Sequence, residues 1–246
     1  MFTETEGIIL RQTKIAESRR MVLLFSEKYG KISAGTGLNE RGKGKNALVM
    51  RPFTYGKYEL FKKGNFININ GGEVLQSHYR IGEDVDKYME ASFALEFVDK
   101  ITEEEMPLYG LFELMKVFLS ELEKRKSKYD ILIIAFMMKA LHHLGYAPEL
   151  SVCTLCGNKK EPVYFSIPDG GVVCDDCDTD KSNGLIYPVN FDIVNVLTFV
   201  VNQPIERLQN LALGEDNARI ARNMVLDYAK YHMDFGKLKS ESFINE

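Results

Sequence analysis

Tryptophan is missing from this chain, and cysteine, histidine and proline are scarce: 4, 4 and 7 residues among 246. The four histidines are His78, His142, His143 and His232, and neither His142 nor His143, at the end of a buried helix, has a spaced serine or carboxylate partner to suggest a triad. Neither a nucleophile elbow nor a paired-carboxylate signature occurs, so nothing points to turnover chemistry and a binding protein is expected. Long hydrophobic runs are also missing. The longest, Ile131 to Met138, falls far short of the roughly 20 residues that span a bilayer. The start, Met1-Phe2-Thr3-Glu4-Thr5-Glu6, has neither a basic nor an apolar leader segment, so a cytoplasmic protein with no membrane partner is expected. What remains, 45% apolar and 27% charged, is ordinary for a globular chain long enough to bury a real core.

The few cysteines are concentrated. Cys153 and Cys156, then Cys174 and Cys177, form two C-x2-C pairs separated by 17 residues. That spacing suits a four-thiolate zinc site, because each tight turn brings two sulfurs to one side of the backbone and two such turns close a tetrahedron. Gly157 and Gly170-Gly171 fit the knuckle turn and the hairpin between the pairs. Four protein ligands leave no position for a water, so one Zn2+ here is structural. Two disulfides, or a thioredoxin-like redox pair, are the competing readings; the first needs an oxidising compartment and the second a βαβ pattern that the sequence lacks.

Charge is divided unevenly. Residues 1–80 carry 14 Lys+Arg against 7 Asp+Glu, a net of +7, whereas residues 81–246 carry 17 against 28, a net of −11. Such a sign change argues for two units, the basic one facing a polyanion. A solvated basic surface is the plainer alternative.

The pattern of residues divides at the same place. Gly7–Leu10, Arg20–Phe25, Lys31–Ala34, Phe53–Phe61 and Phe66–Ile69 read as strands between turn-forming residues, with a short helix from Lys45 to Met50 stopped by Pro52. Three strands, a helix and two strands is the order of a five-stranded OB-type β-barrel, with an SH3-like barrel as the alternative. From Asp84 the period becomes helical: Asp84–Thr102 with Val85, Tyr88, Ala91, Leu95 and Val98 on the buried stripe, then a helix opened by Pro107, then Tyr129–Leu144, apolar nearly all round. After a cysteine module at about 151–187, Asn190 caps a helix to Val201, and a last helix runs from Glu215 to Phe235 with Ile220, Met224, Tyr228 and Tyr231 inward. Residues after Gly236 read as a polar tail. The expected fold is therefore α+β: an OB-type barrel at 1–80 that binds nucleic acid, followed by an α-helical bundle at 81–246 with the four-cysteine zinc ribbon inserted.

In the basic part, Gly37, Gly42 and Lys43 match G-x4-G-K, yet Gly44 stands where a hydroxyl should hold magnesium, which argues against a nucleotide-hydrolysing loop. A cationic glycine-rich loop carrying Arg41, Lys43 and Lys45 is the better reading; with Arg11, Lys14, Arg19, Arg20 and Arg51 it supplies candidate DNA-phosphate contacts. Of Phe53, Tyr55, Tyr58, Phe61 and Phe66, about half must fill the barrel and the rest are candidates for base stacking.

One stretch is distinctive: Leu144-Gly145-Tyr146-Ala147-Pro148-Glu149-Leu150 running into Cys153-Thr154-Leu155-Cys156-Gly157, then Phe165-Ser166, Gly170-Gly171 and Cys174-Asp175-Asp176-Cys177. With Glu6-Gly7-Ile8-Ile9-Leu10 and Arg51-Pro52-Phe53 it resembles the RecO family of bacterial recombination mediators. The resemblance implies an OB barrel and a helical domain with a zinc ribbon. It implies binding of single- and double-stranded DNA, annealing of complementary strands, and loading of RecA in RecF-pathway repair. Expected partners are RecR and the acidic C-terminal tail of single-strand-binding protein (SSB), with a nucleoid-associated location. A zinc-stabilised RNA-binding or protein-interaction module unrelated to repair is the rival.

Overall fold

The computed structural model describes residues 2–17, 19–38, 45–177 and 184–243. The chain forms two compact units, Met1–Lys124 together with Leu238–Glu246, and Arg125–Lys237. The division in the sequence at 80/81 follows the change from strand to helix. The division in space falls later because two helices after residue 80 pack within the barrel's unit.

In the first unit, β1 (Phe2–Ala16), β2 (Arg19–Ser26), β3 (Gly30–Thr36), β4 (Tyr55–Lys63) and β5 (Phe66–Gln76) close a barrel in the order β1-β2-β3-β5-β4. β5 runs antiparallel to β4, β4 closes onto β1, and β3 meets β5 in parallel at Gly35↔Asn68. This five-stranded Greek-key closure is the OB arrangement. Inward residues such as Ile9, Val22, Leu24, Ile32, Ala34, Leu60 and Ile69 make one core. The short α1 (Lys45–Val49) seals it: Val49 and Met50 are fully buried, and the Tyr58 hydroxyl donates to Val49 O at 3.0 Å.

α2 (Val85–Ile101) is capped by Asp84, whose side chain accepts from Lys87 N at 3.1 Å, and α3 is Tyr109–Lys124. Part of the barrel wall is covered by these helices, Phe25 meeting Phe112 edge-on at 5.7 Å. Lys31 on β3 is buried there. Its ammonium donates to Asp99 O and Thr102 O at 2.5 Å each, closing the C-terminal end of α2, and lies 3.3 Å from Asp99 Oδ1. The stripe expected on α2 is corrected. Val85 and Tyr88 are exposed, while Ala91, Phe93, Ala94, Leu95, Phe97 and Val98 are buried, because α2 packs against β1, α3 and the C-terminal segment at once. The polar tail is likewise corrected. Leu238, Ser240 and Glu241 are buried, and Glu96 on α2 accepts from Lys239 N, Ser240 N and Ser240 Oγ at 2.7–2.9 Å.

His78 joins β5 to α2 in the left-handed region (φ 46°), buried, with Nδ1 3.1 Å from Glu123 Oε2. Burial holds its pKa below the ordinary 6.5, outweighing the hydrogen bond and charge of Glu123. The neutral ring is thus favoured by the fold. Its contribution is complete above the unfolded value and is lost as pH falls, since the unfolded chain takes up the proton first. We expect denaturation midpoints to drop from pH 7.5 to pH 5.5, by up to about 1.4 kcal/mol per pH unit from this group. In His78→Asn, which tolerates the backbone conformation, that part should vanish; an identical pH slope in both proteins would rule it out.

In the second unit α4 (Tyr129–His143) packs against α5 (Phe191–Asn202) and α6 (Glu215–Met233), and every residue from Ile131 to Met138 is buried. Asn190 caps α5, accepting from Ile193 N at 3.0 Å. On α6 the inward residues centre on Ala221, Met224, Val225 and Tyr228; Tyr231, expected inward, is half exposed because the buried face ends one turn earlier. The ribbon strands β6 (Pro162–Ser166), β7 (Gly171–Cys174) and β8 (Ile186–Pro188) form one sheet in the order β7-β6-β8. They are pinned to α6 by Phe165 against Tyr228 at 5.6 Å, His232 Nε2 with Ile167 O at 2.7 Å, and the Tyr187 hydroxyl donating to Asp227 at 2.5 Å. Among the described residues no helix is long and apolar enough to cross a membrane.

Candidate nucleic-acid interface and metal centre

The metal site is assembled from two turns. Gly157 N donates to Cys153 O at 2.8 Å with Gly157 at φ 72°, and Cys177 N donates to Cys174 O at 3.3 Å. Thr154 N donates to Val172 O at 2.9 Å and ties the first turn to β7. Gly171 is required by close approach, since a Cβ there would stand 2.1 Å from Glu149 O. The outcome is four sulfurs within 4.8 Å of one another. Cys153–Cys177 and Cys156–Cys174 are 3.8 Å apart and Cys174–Cys177 3.7 Å. A tetrahedron with zinc–sulfur arms of about 2.3 Å has edges of about 3.8 Å, so the cluster fits a tetrahedral metal. Two disulfides would instead give two short distances and four long ones.

Burial pushes the Cys153 thiol up, but the N–H groups of Cys174, Cys156 and Leu155 aimed at its sulfur outweigh this and hold it at about 6. Burial, and then the other three sulfurs, push Cys177 up to about 12. Thiolates this close repel one another unless a cation sits among them.

The barrel carries the other candidate. Where α2 and α3 stop covering its wall, the outer face of β2 and β3 stays open. A groove of about 710 Å³ runs between the β1–β2 hairpin and the β4–β5 turn, lined by Ile15, Arg19, Arg20, Met21, Ser33 and Phe66 among others. Phe66 is 78% exposed and Ile15 61%. Lys14 stands directly opposite Arg20 across the β1–β2 ladder. Directly opposite residues share one face of the sheet, so positive charge is concentrated there.

The other predicted cations are placed apart. Arg11 is exposed on β1, 3.7 Å from Asp99; Arg51 is exposed after α1, in a different concavity; Lys45 begins α1. Arg41 and Lys43, with the G-x4-G-K match, lie outside the described residues. Of the five aromatics, Tyr58 and Phe53 are buried, Tyr55 and Phe61 are half-buried, and only Phe66 projects. The sequence held a clue to that difference: Phe66 follows the Gly64-Asn65 turn, at the barrel's rim.

A family model described as "Recombination protein O N terminal" matches residues 1–78, and one described as "Recombination protein O C terminal" matches residues 82–242. The chain belongs to the RecO family. Similar proteins named DNA repair protein RecO include those of Thermoanaerobacter sp., 28% identical over 242 residues (98% of this chain, 96% of that protein), and of Bacillus subtilis, 28% over 247 residues (100% and 95%). That of Bacillus velezensis is 30% identical over 251 residues (100% and 95%). This RecO-family chain thus has a role in DNA repair and recombination, with an OB-type barrel, a helical part and four cysteines in position to bind a metal.

Proposed function

We propose that this protein is a recombination mediator without turnover that grips DNA through its barrel. The observation that carries the reading is the open β2–β3 face, where an exposed aromatic ring, Phe66, lies beside Arg19 and Arg20. OB barrels bind oligonucleotides on that face, between the loops that flank it. Rings stack bases of any sequence and cations follow the phosphates. Lys14, Arg11, Arg51, Arg41, Lys43 and Lys45 add positive charge to the same 1–80 domain. Family membership supports the finer roles: binding single- and double-stranded DNA, annealing complementary strands by charge neutralisation, and, with RecR, loading RecA onto SSB-coated strands. The helical domain, 81–246, receives protein partners, the acidic SSB tail included, and one structural Zn2+ sits on Cys153, Cys156, Cys174 and Cys177. A cytoplasmic, nucleoid-associated location follows from these roles.

Fluorescence anisotropy with a single-stranded oligonucleotide tests the grip. Affinity should fall steeply with salt, by about 0.7 log units per log unit of salt for each phosphate neutralised. Phe66→Ala should cost about 1–3 kcal/mol of binding with folding unaffected, since the ring is exposed. A flat salt response, or tighter binding of structured RNA than of single-stranded DNA, would contradict the reading.

A further inference from the structure

The open face does not end at the barrel. Arg20 lines the β2–β3 groove and also a second one, about 440 Å³, between β1 and α2. Ile9, Leu10, Phe53 and Leu95 give this second groove its apolar surface, and Arg11, Arg20, Lys100 and Lys239 its positive charge. Its two carboxylates are engaged by the protein itself: Glu96 by the backbone and hydroxyl of the C-terminal segment, Asp99 by Lys31 and Arg11. By composition four cations line the groove against two carboxylates, Arg11 being shared with Asp99. Tyr88 supplies a ring, 48% exposed and set edge-on against Phe53 at 5.4 Å. Phe53 itself is held at φ 61°, a conformation costly for a bulky side chain and typical of functional sites. Pro52, Phe53 and Tyr88 also line a third concavity of about 620 Å³ that contains Arg51.

From this continuity we propose that single-stranded DNA seated on the β2–β3 face passes over Arg20 into the β1/α2 groove, with Lys100 and Lys239 on its phosphates and Tyr88 under a base, toward Arg51. The second groove repeats the composition of the first, a projecting ring among cations, which a polynucleotide engages and a merely acidic peptide has no need of. It places two DNA-contacting lysines outside the barrel, one of them on the C-terminal segment, and joins Arg11 and Arg51 to the Arg19/Arg20 cluster. The proposal rests on the barrel reading and extends it.

The test uses the full chain and two oligothymidylates, one of about 8 nucleotides, within the 4–16 that one OB fold covers, and one of about 25. The double variant Lys100→Ala/Lys239→Ala, both exposed, should bind the short strand as the parent does. It should bind the long strand more weakly, with a salt slope shallower by about 1.4. Tyr88→Leu, which keeps an apolar side chain against Phe53, should weaken the long strand alone by about fivefold or more. An unchanged long-strand slope in the lysine variant overturns the extension. It does so equally if the variant loses only poly-glutamate binding, which would make the groove a peptide site. Phe66→Ala separates the two levels: if it weakens both strands while the lysine variant weakens neither, the barrel reading stands and the second groove falls; if it weakens neither, the barrel reading falls.

Discussion

Cys174→Ser should release the bound metal and loosen the ribbon at a cost of several kcal/mol, because metal binding and local folding are one equilibrium in such sites. Cys174 is a demanding ligand to replace. It ends β7, is buried, has two sulfur neighbours at 3.7–3.8 Å, and its own N–H points at the Cys153 sulfur at 3.5 Å. A serine hydroxyl is a poor zinc ligand and is shorter, so three sulfurs would be left crowded around an incomplete site. Metal content measured on the purified protein should fall from about one ion per chain in the parent, as a single four-ligand site requires. Proteolysis should then open the module, and a strong chelator should reproduce the effect in the parent. A parent that is metal-free and as stable as its chelated form would defeat both the zinc assignment and this prediction.

Lys31→Ala should have the second largest effect, about 3–5 kcal/mol, because it breaks a buried charged contact while leaving the partners in place. The ammonium is the donor to two carbonyls at the end of α2 and lies beside Asp99. Without it those carbonyls are left without that donor beside the barrel, and Asp99 keeps Arg11, at 3.7 Å, as its neighbouring cation. Lys31→Met keeps the stem and its packing, so it should lose nearly as much; a large recovery in Met would assign the effect to packing. The midpoint of chemical denaturation reads both. Arg11→Ala, whose side chain is far more exposed than that of Lys31, should cost under about 1 kcal/mol, as surface pairs do.

How much could be read beforehand depended on how local the cause was. The ribbon was legible because C-x2-C turns place their sulfurs through their own backbone, and the Asn190 cap because a side chain bonds to an N–H three residues on. The barrel's element order was legible from its turns. Which kind of barrel was not, since the parallel meeting of Gly35 with Asn68 joins segments 33 residues apart. The α2 stripe differed from expectation for a related reason. A one-sided periodicity cannot register a helix enclosed from several directions, nor can composition show that Leu238 and Ser240 return to α2. Tyr58 and Phe66 illustrate the limit for the site: both are aromatic and both lie on strands, yet one is fully buried beneath α1 and the other projects at the rim.

By itself, then, the sequence determined the sulfur cage, the succession of strands and helices, and the concentration of positive charge in the first 80 residues. These are properties of neighbours along the chain and of composition. Only the tertiary structure decided which ring faces solvent, and that Arg20 is shared by two grooves. It also decided that Lys100 and Lys239, from segments far apart in the chain, line the same groove as Arg11. Exposure and adjacency are set by what packs against each segment, and in this protein that is a helix and a C-terminal segment remote in sequence from the barrel's own residues.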